Sequence, residues 1–287
     1  MTTLPEHAAR RCHAVVNPIH SALYFSPDLG REFARAGLDD VNAAYFAARS
    51  APLGRVGAGI VTATFHNFKH DLVARHLPHV WDVLSPEDSL DARLRAVDSL
   101  LRRLLGEEVL ASKELAEAAE LALRATEACT RPARPLYAAN ADLPVPDAPH
   151  LVYWHAATLL REYRGDGHLM ALTRAGLDPL ESLASHTASG RGMSPRWILA
   201  TRGWSAQEWE AARERLRGRG LLDGEGGLTE AGRELRGALE DETDRLDRAP
   251  YEYLGAAGVV RLTALAGGFA GAARAAGAFP PDLIGRS

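Results

Sequence analysis

Apolar residues recur at spacings of three and four along almost the whole chain, and the alternation of a half-buried strand is nearly absent. Leu90, Leu94, Val97, Leu101 and Leu104 form one such stripe. It follows Ser85-Pro86-Glu87-Asp88, a helix start with proline in its first turn. The stripes are carried by alanine, leucine, arginine and glutamate, all strong helix formers. This periodicity restricts the chain to a mainly helical, all-α fold with room for a small β element at most.

The helices are punctuated unevenly. Asp39-Asp40 is placed to cap a helix carrying Val41, Ala44, Tyr45 and Ala48. A helix is expected over 56–68. The stripe behind Pro86 and the amphipathic segment 110–129 are expected to pair as an antiparallel hairpin turning at Gly106. Residues 131–149 hold five prolines (132, 135, 144, 146 and 149), which forbids a continuous helix. We therefore expect a helical bundle lobe over 1–134, a Pro-rich connection over 135–149, a second lobe over 150–249, and a C-terminal packing or dimerisation helix over 250–287.

The 287 residues are enough for a real core. The formal net charge is -4, and of 33 basic residues only Lys69 and Lys113 are lysines. That balance excludes a strongly basic nucleic-acid coat, not a local patch. Cys12 and Cys129 are too few for a disulfide framework or a Cys-based metal site. No apolar stretch follows MTTLPEHAARR as a signal peptide would require, and the apolar run 262–273, bounded by Arg261 and Arg274, is short for a membrane span. The expected location is cytoplasmic, without membrane contact.

The third quarter has the most specific pattern. Pro195 to Arg202 reads as a helix, and Gly203-Trp204-Ser205 turns into a second. Ser205 and Glu208 stand at capping-box spacing. After Arg219-Gly220-Leu221-Leu222 come the turn Asp223-Gly224-Glu225-Gly226-Gly227 and then Leu228-Thr229-Glu230-Ala231-Gly232-Arg233. Over 195–246 this resembles the winged helix-turn-helix of MarR-type regulators. That likeness implies wing strands at Leu221-Leu222 and Leu228, with Thr229 capping the last helix. More widely, "NPIHSALYF", "AAYFAARSAPLG", "ATFHNF", "WHAATLLREYRGDGH", "RGWSAQEW" and "EDETDRL", in this order, resemble SalK-like actinobacterial helix-turn-helix proteins.

DNA binding is the activity such a fold implies, and the residues argue against it. With Trp209, Ala212 and Leu216 inward, Gln207, Glu210, Ala211 and Glu214 face outward, and Asp223 and Glu225 occupy the wing. Between Met193 and Arg248 there are ten arginines and twelve acids. Arg213, Arg215, Arg217 and Arg219 are the available cations, and they read equally well as solvated partners of nearby acids.

The densest polar cluster runs from His155 to His168. Trp154, Thr158, Arg161 and Glu162 share a helical face, His155 and Glu162 lie seven apart, and Gly165-Asp166-Gly167 is expected to break the helix, with Asp166 capping the next. Two readings stand: a ligand or catalytic site, or an ion-pair network of Arg161, Glu162, Arg164 and Asp166 fixing a joint. Gly165-x-Gly167 lacks the features of a phosphate-binding loop, so no cofactor is expected. His66 and His70 have chelating spacing, but Lys69 beside them disfavours a dication, and no metal is expected. His20 reads as a core histidine. GxSxG and HExxH are absent, and Gln207 is the one glutamine, which excludes a glutamine-pair active site.

The sequence thus points to a homodimeric winged-helix protein responsive to a small molecule and acting in transcription regulation. Its pocket lies between the lobes, built from Tyr45, Arg49, His155, Arg161, Asp166 and His168. Arg161 anchors an anion there and His155 hydrogen-bonds it. The rival is an enzyme on the same scaffold. In it His155 or His168 is the general base, Glu162 or Asp166 orients that base, and Arg161 stabilises negative charge. A purely structural or partner-binding role is the third reading.

Overall fold

The computed structural model describes residues 4–285. In chain order the helices are α1 (Ala8–Ser21), α2 (Pro27–Arg35), α3 (Val41–Ser50), α4 (Ala58–Phe65), α5 (His70–His76), α6 (Val80–Val83), α7 (Pro86–Leu110) and α8 (Lys113–Thr126). Then come α9 (Pro135–Ala141), α10 (Pro149–Arg174), α11 (Pro179–Ala188), α12 (Pro195–Thr201), α13 (Ala206–Gly218), α14 (Glu230–Leu246) and α15 (Arg248–Ala275). The all-α class holds. Among the described residues no strand forms.

Side-chain caps open seven of these helices. Asp40 Oδ1 accepts from Ala43 N at 2.7 Å and opens α3. Ser85 opens α7 through Asp88 N, the Ser205–Glu208 capping box opens α13, and Thr229 opens α14. Each such cap is worth about 1 kcal/mol.

Two apolar cores result. The larger joins the bundle helices to α15 and includes Phe33, Phe46, Leu101, Leu115 and Tyr251. The smaller, around Ile198, Trp209, Leu216 and Leu239, holds the helix-turn-helix region together. α10 enters both. Tyr153, Trp154 and Leu160 belong to the first core, Ala171 and Leu172 to the second. It packs against α1, α7, α8, α9 and α14. A helix enclosed in this way is the axis on which the two lobes meet.

The expected helix break at Gly165-Asp166-Gly167 does not occur, and α10 runs through it. Two glycines cost a helix about 1 kcal/mol each relative to alanine, which tertiary packing outweighs. Both are there for space. A Cβ on Gly167 would lie 3.0 Å from Arg134 Nη1 and 3.2 Å from Leu246 Cβ, and one on Gly165 would lie 2.5 Å from Arg161 Nη1. Asp166 still caps a helix, but a different one: its Oδ2 accepts from Tyr137 N at 3.0 Å, in the first turn of α9.

Three further expectations are corrected. The turn after α7 falls at Ala111-Ser112, where Ser112 caps α8, and not at Gly106, a left-handed kink inside α7 (φ 78°). α8 then packs chiefly on α10 and α15. The helix expected over 56–68 is α4 alone, ended by His66 at φ 58°. The β-wing reduces to one antiparallel bridge, Leu222–Leu228. Asp223 Oδ1 ties the loop by accepting from Glu225 N and Gly227 N, and three glycines leave little to extend a ladder.

α15 is 28 residues long, with a left-handed break at Gly255. Its most apolar window has a mean hydropathy of 1.4, so by length and composition it could cross a membrane. Its Val259, Leu262, Ala266 and Phe269 are part of the bundle core.

Candidate functional site

α3, α4, α10, α11, α12 and α14 surround a polar chamber of about 180 Å³. Four guanidiniums face it: Arg49, Arg161, Arg202 and Arg236. Two carboxyls, Glu162 and Asp166, and two imidazoles, His168 and His186, are its other acid and base groups, and Tyr45, Thr64, Asn67 and Ser182 add uncharged polar ones.

The charges divide unequally. Glu162 is the hub. Its Oε1 accepts from Arg49 Nε at 3.3 Å, and its Oε2 accepts from Arg49 Nη2 at 3.3 Å and Arg161 Nη1 at 2.9 Å. Burial pulls the Glu162 pKa upward, but Arg161 and Arg49 outweigh it and hold the group at about 2. Arg49 also donates to Tyr45 Oη and lies 4.3 Å from the centre of the Phe65 ring. Arg236 has Glu240 at 3.5 Å.

Arg202 has no carboxylate partner among the described residues. Its Nη1 donates to Thr201 Oγ1 at 3.1 Å, and its Cζ stands 4.4 Å from the Phe68 ring centre. Burial, with the charge of Arg49 adding to it, depresses its pKa. It lies just past α12, at the C-cap, immediately before Gly203 (φ 81°).

Burial shifts the remaining carboxyl and the two imidazoles. Burial raises Asp166 to about 6, with Glu162 adding to the rise. Burial and then Arg236 lower His168 to about 3, and burial with the same arginine lowers His186 to about 4. Both imidazoles are therefore neutral at pH 7. Thr243 Oγ1 donates its one proton to Leu239 O at 2.7 Å, so it accepts from His168 Nδ1 at 2.9 Å. That fixes the tautomer, and His168 Nε2 carries the lone pair.

The structure brings Tyr45, Arg49, Arg161, Glu162, Asp166 and His168 to this chamber and leaves His155 outside it. His155 is buried beside Arg93, and burial followed by that charge lowers it to about 4. The seven-residue spacing puts His155 and Glu162 on one side of α10, but His155 lies two turns, about 10 Å, from Glu162 along the helix axis, beyond the chamber's reach. Arg164 belongs to the joint, with Asp244 at 2.8 Å and Asp247 at 3.2 Å on and just past α14. His20 is a core histidine. It stacks on Trp154 and donates to Thr158, whose own proton goes to Trp154 O. Sequence reasoning missed Arg202, Arg236 and His186; they come from the helix-turn-helix side, and Arg202, although it opens the "RGWSAQEW" segment, has no neighbouring residues that mark it as a site.

A larger, mostly apolar compartment of about 560 Å³ adjoins the chamber. The two share Tyr45, Arg49, Phe68, Arg161 and Arg202.

The surface of α13 is charged but internally matched. Arg213 pairs with Glu210, Arg217 with Glu210 and Glu214, Arg215 with Asp178 and Glu181, and Arg219 with Glu181. The start of α13 is held by the bundle lobe. Lys69 Nζ meets Glu208 at 2.6 Å, Trp204 Nε1 donates to Asn67 O, and Lys69 N donates to Arg202 O. Gly203 closes the joint, since a Cβ there would lie 2.7 Å from Leu72 Cβ.

Sequence comparison matches residues 9–280 to a helix-turn-helix family. The chain belongs to that helix-turn-helix family. The match spans both lobes, so the chamber and the α12–α13 pair lie within one family unit. No curated protein and no solved structure matches this helix-turn-helix protein.

Proposed function

We propose that this helix-turn-helix protein is a small-molecule receptor whose interlobe chamber takes an organic anion, and that the anion is sensed through α12. The observation that carries the reading is Arg202. A cation largely withdrawn from water without a counterion is costly, and an arriving anion relieves that cost. Membership of a helix-turn-helix family supports a link to DNA, as does the resemblance to MarR-type and SalK-like regulators. Arg202 precedes α13 by only a short turn, so the ligand's counter-charge sits at the hinge of the helix-turn-helix.

In the conformer described, the arginines of α13 are engaged by acids and its first turn is pinned to the bundle. DNA contact would require those pairs to open. The enzyme reading retains His168, His186 and Asp166 as candidate bases, since Glu162 is engaged by two arginines; His155 has no part in it.

The test is thermal unfolding with sodium benzoate against sodium chloride at equal ionic strength. Benzoate should raise the melting temperature of the wild-type protein and leave Arg202→Met unmoved. Equal responses in the two proteins, or none in either, would overturn the reading.

A further inference from the structure

The larger compartment has a composition of its own. Tyr24, Phe25, Leu29, Val41, Met193 and Trp197 line it, and no carboxylate does. Its only ionised lining groups are Arg49, Arg161 and Arg202, which it shares with the chamber. Its one histidine, His20, is kept neutral by burial, at about 3. Val41 stands on the first turn of α3 with 73% of its surface exposed, an apolar residue facing water at the border of an apolar space. The compartment draws walls from both lobes: Tyr24, Phe25 and Val41 from the bundle, Met193 and Trp197 from the helix-turn-helix side.

We infer that the ligand is an amphipathic monocarboxylate, with its head on Arg202 at the junction of the two spaces and its apolar body in the larger one. The inference rests on the anion reading above and adds the ligand's shape and charge. The head carries a single charge, because Arg49 and Arg161 are already engaged by Glu162, and Arg236 by Glu240. Of the chamber's four arginines only Arg202 lacks a carboxylate partner among the described residues. A planar carboxylate also matches the guanidinium fork with two parallel hydrogen bonds. The body is apolar because the larger compartment offers mainly aromatic and aliphatic faces, with its charged groups gathered at the junction with the chamber. A ligand so placed touches both lobes at once and ties α12 to α3.

The test is calorimetric titration with butanoate, hexanoate, octanoate and decanoate, with 1-octanol and octylamine as neutral and cationic controls. Full burial tightens binding about fourfold per methylene. The compartment is open on one side, so we expect at least about fivefold for each added pair. Octanoate should bind at least about tenfold tighter than octanol or octylamine, and Arg202→Met should reduce octanoate to the level of octanol.

Trp197→Ala and Val41→Asp should each flatten the chain-length dependence. The second alters an exposed first-turn position and leaves the core untouched. A flat series with benzoate still bound would overturn the amphipathic inference and leave the anion reading standing. Octanol equal to octanoate would overturn the placement of the head. Failure of benzoate and every alkanoate to bind would overturn both. An unchanged slope in both Trp197→Ala and Val41→Asp would remove the body from this compartment.

Discussion

Replacing Arg202 with methionine should leave the unliganded protein as stable as before or make it more stable. The side chain gives up a hydrogen bond to Thr201 at 3.1 Å and a cation–π contact with Phe68 at 4.4 Å. A hydrogen bond from a charged donor is worth roughly 1.5–3 kcal/mol, and a cation–π contact about 1–2 kcal/mol when partly desolvated. Against these stands the cost of taking a guanidinium out of water, several kcal/mol in real proteins. Methionine keeps the apolar stem, and the Arg202 carbonyl that accepts from Lys69 N is unaffected. The balance lies between no change and about 2 kcal/mol of stabilisation, a melting-temperature gain of about 2–4 °C per kcal/mol. Arg49→Met is the contrast. It strips Glu162, 1% exposed, of its two-pronged partner, and breaking such a pair costs about 3–5 kcal/mol. Urea unfolding of the three proteins at pH 7.5 decides the matter. If Arg202→Met loses more than about 2 kcal/mol, or falls as far as Arg49→Met, Arg202 is a structural pillar and not a waiting counter-charge.

Acidification should destabilise the fold. His20 and His168 are depressed to about 3, and His155 and His186 to about 4, so the unfolded chain takes up their protons first as pH falls below 6.5. Asp166 at about 6 and Asp247 at about 7 oppose this, since their contribution is present at low pH and lost as pH rises. Burial lowers His13 and His66 in the same sense, so six imidazoles against two carboxyls leave a net loss of at least about 2 kcal/mol between pH 7 and 4.5, and a level or rising urea midpoint over that range would contradict it. Asp166→Asn keeps the acceptor for Tyr137 N and removes one opposing group, so it should steepen the acid loss and stabilise the protein at pH 8 by about 1–3 kcal/mol, read from the same midpoints. Lys69→Ala should release the first turn of α13, seen as faster amide hydrogen exchange at 206–210 with exchange in α8 unchanged; equal protection in both proteins would show that the Lys69–Glu208 contact does not hold the helix. Gly167→Ala should cost about 1–3 kcal/mol by overpacking Arg134 and Leu246, while alanine at Gly237, with nothing within 4 Å, should be neutral or stabilising.

The local grammar of this chain was readable because it is written in neighbouring residues. Asp40, Ser85, Ser205 and Thr229 each cap the helix they precede, and the 3.6-residue stripes gave the helical class. Gly165 and Gly167 were misleading for the opposite reason. Gly167 makes room for Arg134 and Leu246, about thirty and eighty residues away in the chain, and Gly165 for the Arg161 guanidinium held by Glu162; no motif distinguishes a glycine that ends a helix from one that admits a neighbour. The chamber shows the same division. Arg161, Glu162, Asp166 and His168 sit close together on one helix and were found as a cluster; His155 shares the helix and the side of Glu162 but lies two turns away along the axis.

The unpaired charge was hidden most completely. In a chain with 33 basic residues, Arg202 is one arginine among many at the end of a short helix, with no acid, histidine or glycine-rich motif to mark it. Its significance is a subtraction that only the fold performs. Arg49 and Arg161 are matched by Glu162, Arg164 by Asp244 and Asp247, Arg236 by Glu240, and the four arginines of 213–219 by their own acids. The net charge of -4 describes the surplus of acids over the whole chain, and says nothing of which chamber cation is left without a carboxylate. That position, between a polar chamber and an apolar one and a single turn before α13, is where a bound anion would gain the most and where the helix-turn-helix would feel it first.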